Sequence, residues 1–124
     1  MIIGLGIDIT ELDRIRSSLE KFGERFTEKI LTPAEIELIP GKDPVPYVAA
    51  RFAAKEAAVK ALGTGFAEGI TFHCIEITRN ESGAPQLNFL GKALERSNNM
   101  GVQGIHISIT HARDNAAAVV VLEN

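Results

Sequence analysis

Residues 51–65 read RFAAKEAAVKALGTG, and the rest of the chain is best read outward from this run. Together with Val48, the apolar residues Phe52, Val59 and Leu62 recur at about 100° per residue, the spacing of one side of a helix. Glu56 lies inside that stripe, one turn after Phe52. A carboxylate on the face a helix turns inward is costly unless a cation or hydrogen bonds satisfy it. Lys60 follows at i+4, where Glu and then Lys meet on a helix surface. Leu62 gives way to Gly63-Thr64-Gly65, a helix stop whose two glycines let the backbone approach a ligand closely. Alone, the run predicts an amphipathic helix with a surface ion pair and a glycine cap.

Before it, PGKDPVP at 40–46 predicts a loop. The chain opens with a strand over 2–9, with Ile3, Leu5, Ile7 and Ile9 on one face and Gly4, Gly6 and Asp8 on the other. The two glycines clear Asp8's face of side chains, as a bulky ligand lying over the strand would require. Thr10 is the expected N-cap of a helix from about Glu11, with an apolar seam at Ile15, Leu19 and Phe22. Gly23 should interrupt it, and Phe26 and Ile30 suggest a further short helix. Thr32-Pro33-Ala34-Glu35 carries a cap residue, proline at N1 and glutamate at N3, so another helical turn starts there.

After the run, residues 70–79 predict a strand, Asn80-Glu81-Ser82-Gly83 a turn, and residues 85–89 its partner. Residues 90–99 predict a short helix ending near Gly101. Residues 105–111 and 116–122 form a second expected hairpin, joined by Ala112-Arg113-Asp114-Asn115. The order of elements predicts a compact α+β fold, a single domain over 1–124 with an N-terminal strand and helices followed by antiparallel hairpins.

A length of 124 residues with 45% hydrophobic content suffices for one domain with a core. No stretch approaches the roughly 20 apolar residues of a membrane span. The start MIIGLGIDITELD has no basic region and carries acids early, unlike a secretory signal. Cys74 stands alone, which excludes an internal disulfide and fits a reducing, cytoplasmic setting. No CxxC or Cys/His cluster suggests zinc. A net charge of −3 gives no general attraction to nucleic acid, so a polyanionic partner must meet a local basic patch.

Asp8 and Glu56 could each give one oxygen ligand to a divalent ion. One or two carboxylates with substrate phosphates and waters is the usual arrangement for magnesium. His111 ends the strand IHISITH. Parity puts it with Ile105, Ile107 and Ile109 if the strand stays regular, or the turn frees it; beside two hydroxyl residues it is a candidate phosphate contact. His73 and Cys74 read as structural. Arg14, Lys21 and Arg25 would align if the first helix ran through Gly23. Interleaved with Glu11, Asp13, Glu20 and Glu24, they read first as a solvated face.

Three segments, in order and at matching separations, resemble the holo-acyl-carrier-protein synthase family of 4'-phosphopantetheinyl transferases. They are GIDITELDRI at 6–15, RFAAKEAAVKALGTG at 51–65 and SITHARDNAAAVVV at 108–121. The resemblance covers essentially the whole chain and is to the small bacterial type. It implies the fold of that family and transfer of 4'-phosphopantetheine from coenzyme A to a serine of apo-acyl carrier protein, in fatty acid biosynthesis. It further implies Asp8 and Glu56 as magnesium ligands, Lys60 and His111 as phosphate contacts, and Arg51, Gly63, Thr64, Gly65 and Ser108 along the nucleotide cleft. By the same resemblance Arg14 would grip an acidic carrier, with Lys21 and Arg25 extending the patch, and the chain would form a homotrimer with active sites between subunits. A non-catalytic coenzyme A-binding module is the main rival, but it would not need both carboxylates. A kinase is disfavoured because no GxxxxGK(S/T) loop is present.

Overall fold

The computed structural model describes residues 1–124. Strand β1 (Ile2–Glu11) leads into helices α1 (Leu12–Phe22), α2 (Glu24–Ile30), α3 (Pro33–Glu37) and α4 (Val45–Leu62). A 3-10 turn (Phe72–Cys74) precedes the hairpin β2 (Ile75–Arg79) and β3 (Pro85–Phe89). Helix α5 (Gly91–Met100) then leads to the hairpin β4 (Gly104–His111) and β5 (Asn115–Glu123). One antiparallel sheet has the order β1-β5-β4, and β2-β3 forms a second. The α+β expectation holds, as do both hairpins. No helix is long and apolar enough to cross a membrane.

Helix α4 is the spine, and it is not amphipathic. Every residue except Pro46, Tyr47, Glu56 and Lys60 is buried. Its alanines present a surface flat enough to lie against the sheet on one side and against α1, α2 and the β2-β3 hairpin on others. It also begins earlier than PGKDPVP suggests. Pro44 is the N-cap and Pro46 lies in the first turn, where a missing N–H costs nothing. Asp43 supports that start by accepting the Val45 N–H at 3.1 Å.

The glycines of β1 serve this helix and not a ligand. A Cβ on Gly6 would lie 1.9 Å from the Ala57 carbonyl oxygen, and one on Gly4 would lie 2.4 Å from that of Ala61. Both are impossible distances, so the glycine face is the seat of α4. The opposite face is uncovered: Leu5, Ile7 and Ile9 are 64–69% exposed. Ile3 leaves that face because the register with β5 shifts between Ile2 and Gly4, and it packs against the core instead.

Several boundaries differ for local reasons. Thr10 stays in β1, and Glu11 precedes α1 without a side-chain cap. Gly23, at φ 57, separates α1 from α2, so Arg14, Lys21 and Arg25 do not share one helix. The expected strand over 70–79 begins only at Ile75. The capping box at Thr32 and Glu35 forms as its residue types require.

A buried ion pair ties these pieces together. Lys55 Nζ lies 2.6 Å from Glu35 Oε1 and donates to the carbonyls of Ile30 (2.7 Å) and Phe72 (3.1 Å). Glu35 also accepts the N–H groups of Thr32 and Ile77, both at 2.8 Å. Burial lowers the Lys55 pKa, and the Glu35 charge opposes that shift. With every partner satisfied, the pair links α2, α3, α4, the 3-10 turn and β2.

Candidate active site

Seating α4 on the glycines of β1 brings its two polar exits beside Asp8. Lys60 Nζ donates to Asp8 Oδ1 at 3.2 Å and to the Ile7 carbonyl at 2.9 Å. It therefore pairs across elements, not with Glu56 on its own helix as the i+4 spacing suggested. Thr10 Oγ1 donates to Asp8 Oδ2 at 3.0 Å, so the residue expected to cap a helix orients this carboxylate instead.

Glu56 is half-buried, and its pKa is raised. Burial is the main cause and the Asp8 charge the second, while Lys60 and Arg14 pull it back. A carboxylate whose ionisation is made costlier by burial and by a neighbouring carboxylate marks a place where a cation is favoured. No cluster of three or more histidine, cysteine, aspartate or glutamate side chains could hold an ion alone. Two carboxylates, completed by phosphate oxygens and water, would nonetheless match the donor set that magnesium prefers.

Arg14 points at this same neighbourhood. Its guanidinium carbon stands 5.6 Å from the centroid of the Phe52 ring, one turn before Glu56. Lys21 lies over Phe22 at 5.3 Å, and Arg25 is exposed on α2.

A second cluster sits toward the N-terminal end of α4. A cleft of about 300 Å³ is lined by Arg51, His111, Tyr47, Asp43 and Arg79. Arg51 is buried with its guanidinium 4.0 Å from the Tyr47 ring centroid, and its Nε has no hydrogen-bond partner. Burial lowers its pKa, opposed by Tyr47. A buried guanidinium with an unmet donor is costly unless an acceptor satisfies it. Asp43 does not cancel it, because that carboxylate is held by Arg16 at 3.0 Å.

The remaining sequence-derived candidates stand apart. His111 is in register with Ala116 and, beyond it, Thr10, roughly 10 Å across two strand spacings from β1. Gly63 caps the far end of α4, about 18 Å along the helix from Arg51 at 1.5 Å per residue. Thr64 and Gly65 follow it, the Thr64 hydroxyl donating to the Gly65 carbonyl at 2.9 Å. Ser108 lies on the opposite sheet face, beside Ile7 and Val119. One chain thus unites Asp8, Glu56, Lys60 and Arg14, separately unites Arg51 with His111, and leaves Gly63–Gly65 and Ser108 outside both groups. Tyr47, Asp43 and Arg79 were not singled out from sequence. The aromatic four residues before Arg51 was the available signal for Tyr47; nothing local marks the other two.

Chemically, the arrangement offers a substrate with several phosphates two carboxylates beside an ammonium and, separately, a cleft holding a buried guanidinium. Comparison with known proteins narrows that class. Residues 4–120 match the 4'-phosphopantetheinyl transferase superfamily, and the chain belongs to it. A relative from Maridesulfovibrio salexigens, named holo-(acyl-carrier-protein) synthase, is 88% identical over 123 residues, 99% of each chain. The crystal structure of holo-(acyl-carrier-protein) synthase from Neisseria meningitidis is similar at TM-score 0.91 and 40% identity, covering 100% of both chains. The Helicobacter pylori holo-(acyl-carrier-protein) synthase in complex with coenzyme A is similar at TM-score 0.85 and 35% identity, covering 96% of this chain and 99% of that one.

The raised pKa of Glu56 has a measurable sign. The folded protein holds this proton more tightly than the unfolded chain, so the charged carboxylate costs stability above the raised pKa. That cost fades as pH falls toward the ordinary glutamate value. In chelator, Glu56→Gln should raise the Tm by a few degrees near neutral pH, with the gain shrinking by about pH 4. Thermal denaturation across pH checks this; a gain that is independent of pH would contradict it.

Proposed function

We propose that the chain transfers 4'-phosphopantetheine from coenzyme A to a serine of apo-acyl carrier protein, releasing adenosine 3',5'-bisphosphate. The observation that carries this reading is the seating of Glu56 and Lys60 against Asp8, in a chain 88% identical to a holo-(acyl-carrier-protein) synthase. A coenzyme A-binding module would have no use for a second, costly carboxylate at that point.

Asp8 and Glu56 would hold magnesium, with Thr10 orienting Asp8. Bound there, the ion would neutralise charge on the pyrophosphate and on the leaving bisphosphate. Lys60 adds a point charge for phosphate. Arg51 and His111 contact coenzyme A phosphates in the anion pocket, and the unpartnered Arg51 Nε supports that role. Gly63, Thr64, Gly65 and Ser108 line the nucleotide cleft. The nucleophile comes from the carrier. Its serine oxygen bonds to the pantetheine-side phosphorus, the bridging P–O bond breaks with that oxygen leaving on adenosine 3',5'-bisphosphate, and the serine proton passes to a carboxylate or a water at the site.

The carrier is acidic, and Arg14 opens α1 directly after β1, where it can meet an acidic helix beside the metal ligands. Lys21 and Arg25 extend the patch. In a cell this chemistry belongs to fatty acid biosynthesis in the cytoplasm, a setting the single free cysteine fits.

The site is shared between subunits of a homotrimer. Two observations support this reading: the split between the Asp8 and Arg51 groups, and the uncovered apolar face of β1. An exposed stripe of Leu5, Ile7 and Ile9 is unusual on a monomer and marks an interface. A second copy placed there could supply one group to the other.

Intact mass spectrometry of apo-acyl carrier protein mixed with the chain, coenzyme A and Mg²⁺ should show the phosphopantetheine increment. Its absence across several bacterial carriers would refute the assignment. Sedimentation equilibrium should give three copies, and Ile7→Glu should yield monomers that have lost transfer. A fully active monomer would refute the shared site.

A further inference from the structure

The Asp8 carboxylate already has a cation. Its Oδ2 takes the Thr10 hydroxyl at 3.0 Å, and its Oδ1 faces Lys60 Nζ at 3.2 Å. The same ammonium donates to the Ile7 carbonyl at 2.9 Å, so one backbone and one side-chain acceptor hold it there. Asp8 is well covered, with its side chain 17% exposed, whereas that of Lys60 is 51% exposed. The lysine therefore reaches in from solvent on a flexible stem and can swing out again without disturbing the core. Glu56, one turn earlier on α4, is left to Coulombic relief from Lys60 and Arg14.

We propose that Lys60 is a placeholder cation. Without substrate its ammonium sits on the Asp8 side of the two-carboxylate site and competes with a divalent ion for that carboxylate. When the ion arrives together with a phosphate-bearing substrate, the ammonium leaves Asp8 and Ile7 and pairs with phosphate. The inference rests on the magnesium reading above and adds to it a coupling between two ligands.

The physical basis is a balance of partners. An incoming cation removes the Asp8 contact and repels the ammonium, so Lys60 must give up two acceptors. A phosphate replaces them with a charge-assisted hydrogen bond of equal or greater strength. Metal alone is thus opposed by Lys60, and metal with a phosphate donor is favoured by it. By linkage, each ligand then strengthens the binding of the other through one side chain. An enzyme so arranged would hold metal weakly until coenzyme A is present.

Lys60→Met keeps the stem and removes the charge, and Lys60→Arg keeps the charge. Mn²⁺ is the probe, with free Mn²⁺ read by electron paramagnetic resonance on the full chain, with and without coenzyme A and corrected for Mn²⁺ held by coenzyme A alone. Without coenzyme A, Lys60→Met should bind Mn²⁺ about two- to tenfold more tightly than the unsubstituted chain. Coenzyme A should then tighten Mn²⁺ binding markedly in the unsubstituted chain and in Lys60→Arg, but much less in Lys60→Met. Equal or weaker Mn²⁺ binding by Lys60→Met without coenzyme A would overturn the placeholder role while leaving the metal site standing. Failure of every form to bind Mn²⁺, even with coenzyme A, would overturn the metal site and the placeholder together.

Discussion

The closeness of α4 to β1 is the constraint on which the site depends. Gly6 and Gly4 meet the carbonyls of Ala57 and Ala61 where any Cβ would collide. Only glycine on the strand and a small residue on the helix permit this approach. The contact fixes the strand alongside residues 57 and 61, so the residues between and beside them, Glu56 and Lys60, emerge at the edge of the seat next to Asp8. The space over the glycines, which the strand pattern marked as open ground for a ligand, is filled by the helix that carries Glu56 and Lys60.

A second restraint sets the rotation of that helix. Lys55 is buried and its ammonium has three acceptors on three different segments. Removing one partner of such a pair leaves a buried charge unmatched, a loss of about 3–5 kcal/mol. Lys55 points into the core while its neighbour Glu56, about 100° further round the helix, points toward Asp8. In KEAAVK the first lysine is thus buried in the core and the second reaches the Asp8 carboxylate. The aromatic stack of Phe52, Phe72 and Phe66 extends the packing to the loop after α4, at centroid separations of 5.4 and 4.0 Å.

Much of this could be read from the chain. Both hairpins, the glycine breaks at Gly23, Gly63 and Gly101, and the Thr32–Glu35 capping box follow from short-range rules, and the structure has them all. The family followed from three spaced motifs. What escaped has a common cause: it depends on partners distant in sequence. Glu35 and Lys55 are twenty residues apart and Asp8 and Lys60 fifty-two, so no local pattern pairs them. Local spacing instead offered Glu56 to Lys60, and parity grouped Ile3 with Leu5, Ile7 and Ile9, from which a register shift separates it. The stripe on α4 was misleading because alanine counts weakly as apolar in a helical pattern, yet here alanines bury three sides of the helix.

The separation of Asp8 and Glu56 in sequence leaves one question central: whether they act on a single ion. A double-mutant cycle answers it most directly, with kcat/KM for carrier modification measured in the unsubstituted chain, Asp8→Asn, Glu56→Gln and the pair. Each single change should lower kcat/KM about a hundredfold or more, and the double variant should be scarcely slower than the worse single one, because either loss already disables the shared site. Losses that multiply in the double variant would show two independent roles and contradict a common metal site.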